Sequence, residues 1–130
     1  MNDEEILNIV NQIQPLLNRV YNTNCKVKLH NNIYERLSGI EGMDGEYSPH
    51  GEYCWFSEEI YLYTNRMNNI EQVIKTLIHE TVHSTQSKEL FDYYYDIGYT
   101  YDNHPFERQA KYHEKYWKIY EKQLKLCQEK

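Results

Sequence analysis

Cysteine is scarce in this chain: Cys25, Cys54 and Cys127 are the only three in 130 residues. Their odd number and the absence of any Cys-x-x-Cys pair exclude a disulfide framework and a thiolate zinc knuckle. Idle thiols in a reducing compartment are the expectation. Basic residues are also short, 14 Lys and Arg against 20 Asp and Glu, for a formal charge of −6. That balance lacks the basic patch a phosphate backbone requires, which argues against nucleic acid as a main partner. No apolar run approaches the roughly eighteen residues of a membrane span. The N-terminus, Met1-Asn2-Asp3-Glu4-Glu5, has no basic start leading into an apolar stretch. A membrane partner and a secretory signal are therefore not expected, and a cytoplasmic location is. Alanine is nearly absent, and 14 Tyr supply much of the bulk. Tyrosine buries its ring and keeps its hydroxyl wet, which suits half-buried surfaces and cleft walls. The length fits one domain, 1–130, around one core.

Hydrophobic spacing outlines the elements. Ile6, Ile9, Val10, Ile13, Leu17 and Val20 recur at helical intervals over 3–21, and Pro15 predicts a kink or a short second helix. Cys25 to His30 alternates as a strand with Val27 and Leu29 inward. Residues 38–52 hold four of the five glycines and read as a turn region or long loop. In 53–64, aromatic and β-branched residues flank Ser57-Glu58-Glu59, the pattern of a hairpin. Asn68 or Asn69 caps a following helix with Ile70, Val73, Ile74, Leu77, Ile78 and Val82 on one side. The Tyr- and Asp-rich stretch 88–103 reads as a partly ordered connector. A last helix begins near His104-Pro105, proline being suited to the first turn. Phe106, Ala110, His113, Trp117, Tyr120 and Leu124 form its semi-apolar stripe. The expected fold class is α+β: an N-terminal helix, a small mixed or antiparallel sheet, and two further helices. Trp55 and Trp117 read as core, and His30, His50 and His113 as isolated packing or surface residues.

The 70–84 helix carries His79-Glu80-Thr81-Val82-His83, with His79 and His83 roughly opposite its apolar side. Four residues span about one helical turn, so the two imidazoles share a face and can grip one metal ion. Glu80 lies one residue from the first of them, placed to act as a base on water. A catalytic zinc takes three protein ligands and keeps a fourth position open. A third histidine at the spacing H-E-x-x-H-x-x-G-x-x-H is missing, since Gln86 and Glu89 occupy those places. Glu107, in the first turn of the last helix, is the preferred third ligand, and small Ala110 one turn on lets the two helices pack closely. His104, Asp102, Asp96 and Glu89 are its rivals.

The pentad followed by Pro105-Phe106-Glu107-Arg108-Gln109-Ala110 resembles the gluzincin pattern, H-E-x-x-H plus a downstream E-x-x-A or E-x-x-D on the next helix. It is especially similar to very small single-domain gluzincin-like proteins that carry H-E-x-x-H-x-x-Q, a position Gln86 fits, and a P-x-E-x-x-A segment. The likeness covers about residues 60–115; the first half shows only a compatible helix-plus-strands pattern. It implies a zincin-like metallopeptidase domain in which His79, His83 and Glu107 hold one zinc ion and Glu80 is the catalytic base. It also implies a peptide or protein substrate. Gluzincins often stabilise the oxyanion with a Tyr or His from the connector or later helix. Tyr95, Tyr99 and His104 are the leading candidates, with Tyr93, Tyr94 and Tyr101 also open. An extended peptide could pair with an exposed sheet edge, for which 60–64 is the candidate strand. A non-catalytic zincin-fold module that binds peptides, and a zinc hydrolase of a non-peptide amide, are the alternatives.

Overall fold

A computed structural model describes residues 1–38 and 49–128. Most of the glycine-rich 38–52 segment and the Cys127 side chain lie outside the described residues. Helix α1 spans Asp3–Tyr21. Asn2 and Glu5 form a capping box: the Asn2 side chain accepts from the Glu5 amide at 2.8 Å, and the Glu5 carboxylate accepts from the Asn2 amide at 3.3 Å. No second helix starts at Pro15, which lies inside α1 on its exposed side. The carbonyl one turn back that loses its partner belongs to exposed Asn11 and can be hydrated. The buried stripe is Ile6, Ile9, Val10, Ile13 and Leu17, while Val20 is exposed.

Three strands follow: β1 (Lys26–His30), β2 (Gly51–Cys54) and β3 (Glu59–Tyr63), with the short helix α2 (Ile33–Ser38) between β1 and β2. The sheet is mixed, in the order β1-β3-β2, with β1 parallel and β2 antiparallel to β3. β2 and β3 are the expected hairpin, but β3 is the central strand and not the sheet edge. Ile60, Leu62 and Tyr63 are buried, whereas every residue of β2 is half-buried. A strand whose residues must be covered on both faces belongs in the middle. Among the described residues, the free edge on that side is therefore β2. Arg36 and Tyr63 brace it: the Arg36 Nε–H donates to the Tyr63 hydroxyl at 2.7 Å, and that hydroxyl donates to Glu52 at 2.7 Å.

Helix α3 (Ile70–Ser84) is the spine of the molecule, packed against α1, the sheet, and the helices of the C-terminal segment after Pro105. The Asn69 side chain caps it by accepting from the Gln72 amide at 2.9 Å. Val73, Ile74, Leu77, Ile78 and Val82 face the core formed with α1 and the sheet. The 88–103 segment is not a connector throughout. Lys88–Asp96 forms helix α4, started by Ser87, whose hydroxyl accepts from the Leu90 amide at 3.2 Å. No α4 residue is fully buried, and its short stripe of Leu90, Phe91, Tyr94 and Tyr95 is mostly tyrosine, which reads weakly beside the aspartates. Gly98, at φ 109°, takes the chain out of it through a conformation that favours glycine.

The last helix starts at Pro105 but is not continuous. It divides into α5 (Pro105–His113) and α6 (Trp117–Gln128), joined by a 3₁₀ turn over Glu114–Tyr116. Ala110, Tyr120 and Leu124 are buried, and half-buried Trp117 packs on the core. Trp55 is half-buried as well, but it lines a cleft and is not a core residue. Cys25 and Cys54 are free thiols. Among the described residues no helix is long and apolar enough to cross a membrane.

Candidate metal centre

The pentad occupies the C-terminal half of α3, where every residue from Thr76 to His83 is buried. On its core side, Thr81 accepts a hydrogen bond from Gln14 of α1 at 3.0 Å, which fixes the rotation of the helix. His79 and His83 face the opposite way, with ring centroids 4.8 Å apart. The α3–α5 packing brings Glu107 over them. One Glu107 oxygen, Oε1, lies 3.0 Å from His79 Nε2 and 2.7 Å from His83 Nε2. Fully buried Ala110, one turn further along α5, has no side chain beyond Cβ to hold the two helices apart.

The other ring nitrogens are engaged too. His79 Nδ1 donates to Glu114 Oε2 at 2.8 Å, and His83 Nδ1 donates to Gln86 Oε1 at 2.7 Å. Gln86 is held in turn by its amide group, which donates to the Phe106 carbonyl at 3.1 Å and to Gln109 at 2.8 Å. An acceptor on each Nδ1 keeps a proton there and aims each Nε2 inward as the ligand atom, the arrangement found around protein-bound metals.

Two buried imidazoles and one carboxylate make a donor set suited to a first-row divalent ion. Ligand atoms about 2.0–2.1 Å from a tetrahedral zinc stand about 3.3 Å apart, so an opening of a few tenths of an ångström accommodates one. Ligand atoms of His79, Glu80 and His83 also lie within 4.8 Å of one another. Of the two carboxylates, Glu107 is the better third ligand, because it touches both Nε2 atoms directly.

Charge follows the same geometry. Burial disfavours a charged His79, but its hydrogen bonds to Glu107 and Glu114 outweigh that and raise its pKa to about 10. Burial pushes the Glu107 carboxyl up, but hydrogen bonds from His79 and His83 bring it down to about 2. The Glu80 carboxyl is raised by burial, against the pull of the two histidines. A carboxylate of raised pKa is a stronger base at neutral pH.

The centre floors a cleft of about 780 Å³. It is lined by the β2 edge and Trp55, by Phe91 and Tyr95 of α4, and by Tyr101. Gly51 lets the edge strand approach α3: a Cβ there would lie 2.7 Å from Thr76 Cγ2 and 2.8 Å from the Tyr61 carbonyl oxygen.

The candidate oxyanion donors separate. Tyr95 lines the cleft. Tyr99 packs edge-on against Tyr94 instead, at 5.5 Å, and is not part of the lining. His104 is fully buried and used at both nitrogens. Its Nδ1 accepts from the Phe106 and Glu107 amides as the cap of α5, and its Nε2 donates to the Phe91 carbonyl at 2.8 Å. It therefore has no atom left for a metal or an oxyanion, and it fixes the start of the helix that carries Glu107. Tyr101 takes its place in the cleft. Tyr101 is 60% exposed; partial desolvation, then the nearby Glu107, Glu80 and Glu114 carboxylates, raise the pKa of its hydroxyl, so it stays a proton donor. Asp96, Asp102 and Glu89 are exposed and outside the cleft lining.

Glu114 is the site residue the sequence did not single out. Its signal is the interval of seven from Glu107, about two turns on one helical face. Compared with models of protein families, with curated proteins and with solved structures, the chain matches none.

Proposed function

We propose that this chain is a small zinc-dependent metallopeptidase with a zincin-like fold of the gluzincin type. The observation that carries the reading is the convergence of His79 Nε2, His83 Nε2 and Glu107 Oε1 beside the buried carboxyl of Glu80. His79, His83 and Glu107 would hold the ion, with Glu114 and Gln86 orienting the two imidazoles from behind. Zinc supplies Lewis acidity when bound, acidifying a water molecule and polarising a carbonyl.

The protein's own groups do the rest. Glu80, with its raised pKa, accepts a proton from the attacking water and passes it to the leaving amine. Tyr101 donates a hydrogen bond to the oxygen on which negative charge develops. The β2 edge, unpaired among the described residues, orients an extended peptide by backbone hydrogen bonds along the cleft. A pure binding module would use the same edge, but it has no need of a carboxylate buried at the cost Glu80 incurs. The test is cleavage of an unfolded protein by zinc-loaded wild type and by Glu80→Gln. Wild-type cleavage, with a variant that keeps its zinc and loses cleavage, supports the reading; equal cleavage by both, or none by wild type, contradicts it.

A further inference from the structure

Past His79, toward the start of α3, the cleft changes its chemistry. Helices α3 and α5 cross in opposite directions: Glu107 touches both His79 and His83, whereas Glu114, two turns on, reaches His79. Lys75 lies one turn before His79, and Lys111 one turn after Glu107. The two lysines therefore fall on the same side of the candidate metal centre, one on each helix. Both line the cleft, and His50 lines it from the residue before β2.

The acidic groups at this end already have partners. Glu71 pairs with Lys75 at 2.8 Å, and Glu114 accepts from His79 Nδ1 at 2.8 Å. Lys111 is exposed and has no ion-pair partner among the described residues. Lys75 has only Glu71, and their side chains are 34% and 45% exposed. So exposed a pair contributes little, and Lys75 can take another partner at small cost. The unspent charge at this end is thus positive. His50 adds a hydrogen-bond donor. Partial desolvation, then Arg66, lower its pKa, and a neutral imidazole keeps one N–H.

We infer that Lys111 and Lys75 form a subsite for a carboxylate of the substrate, one or two residues from the bond that is cut and on the side away from Trp55. This rests on the peptidase reading above and adds a charged group of the substrate to it. The spacing follows from geometry. One helical turn advances about 5.4 Å, and an extended peptide about 3.3 Å per residue. A lysine ammonium is a compact charge with three donors on a flexible stem, so it can follow a carboxylate that enters from open solvent. Such a carboxylate has two sources: an Asp or Glu side chain within a longer peptide, or the C-terminus of a short one. A cationic side chain is the competitor, because Glu71 and Glu114 are close. It would have to displace the partners those carboxylates hold.

The experiment uses the full chain loaded with zinc and heptapeptides whose cleaved bond is located by mass spectrometry. Glu, Gln or Lys stands in turn at each of two positions on either side of that bond. Shorter peptides that end at those positions, as free acid or as amide, form the second arm. Cleavage is followed as kcat/KM, and binding to zinc-loaded Glu80→Gln by fluorescence anisotropy. On one side of the bond the carboxylate should win over its neutral counterpart by about fivefold in both measurements, the upper range for an exposed ion pair. Glu over Gln assigns the side chain, and acid over amide assigns the chain end. The ratio should shrink as salt is raised. Lys111→Gln should bring it close to one, and Lys75→Gln should reduce it. A merely structural role would lower charged and neutral peptides alike and leave the ratio where it was. Equal handling of carboxylate and neutral peptides, a preference for Lys, or a ratio unmoved by either substitution overturns the subsite. Selective binding of the carboxylate peptide without any cleavage leaves the subsite standing and defeats the peptidase reading. Absence of both cleavage and selective binding defeats both.

Discussion

Helices α3 and α4 border the same cleft, yet they are built in opposite ways. From Thr76 to His83 every residue of α3 is buried, and the helix is fixed by the core, the sheet and three neighbouring helices. No residue of α4 is fully buried, and Phe91 reaches inward mainly by ring contacts and one backbone hydrogen bond. The groups that need fixed geometry, His79, Glu80 and His83, are on the first. The aromatic rings Phe91 and Tyr95, which line the cleft, are on the second. Metal-binding and catalytic constellations tolerate little displacement, which a helix buried on all sides supplies.

That contrast can be broken most severely at Glu80. Glu80→Gln is expected to lower kcat by about 10²–10⁴ while leaving zinc content intact; steady-state rates beside atomic absorption give the answer. Packing comes next. Leu77→Ala on α3 should cost about 2–5 kcal/mol of stability, being a fully buried truncation. Leu90→Ala on α4, where the leucine is half exposed, should stay within about 0.5 kcal/mol. Urea denaturation of both variants compares them, and equal losses would erase the distinction between the helices. Glu114→Gln should weaken zinc affinity by about 10–100-fold without unfolding the protein, as removal of an outer-shell carboxylate does elsewhere; a competition titration with a chelator measures it.

The mildest effect is on pH dependence in chelator-treated protein. The His79 pKa is raised to about 10, so its interaction with the carboxylates stabilises the fold fully below its ordinary value near 6.5 and is lost as pH rises toward 10. The Glu107 pKa is lowered to about 2, so its contribution is complete above about 4.5 and is lost as pH falls toward 2. Thermal midpoints of the metal-free protein should therefore peak between about pH 4.5 and 6.5. Zinc must displace protons from the imidazoles, so its stabilising effect should grow from pH 6 to 8. A metal-free midpoint that climbs steadily across that interval would contradict the assigned pairing.

The parts that could be read from the sequence share a physical reason. The apolar stripe of α3 and its His pair fall on opposite sides of one periodic segment, so helix and site announced each other. Glu107 was legible because Pro105 marks a helix start and Ala110 a close crossing. Other features left no such trace. The alternation Ile60-Tyr61-Leu62 is the same for a central and an edge strand, so the sequence alone did not place β3 in the middle. Helix α4 is only nine residues long and its period is carried by Leu90, Phe91 and tyrosines, too short a run to separate it from a connector. Trp55 is apolar bulk until its neighbours are known. Glu114 needs the α3–α5 crossing, because only that shows which imidazole nitrogen it can reach. His104 had both a cap and a site role open to it, and only the structure shows both its nitrogens occupied.

The central claim is a zinc ion held by His79, His83 and Glu107. Its most direct test is the stoichiometry and affinity of zinc in purified wild type, Glu107→Ala and His104→Ala. One zinc per wild-type chain, sharply weakened binding in Glu107→Ala, and binding retained by folded His104→Ala is the predicted result. A wild-type protein without stoichiometric zinc, or a Glu107→Ala variant with undiminished affinity, would contradict it.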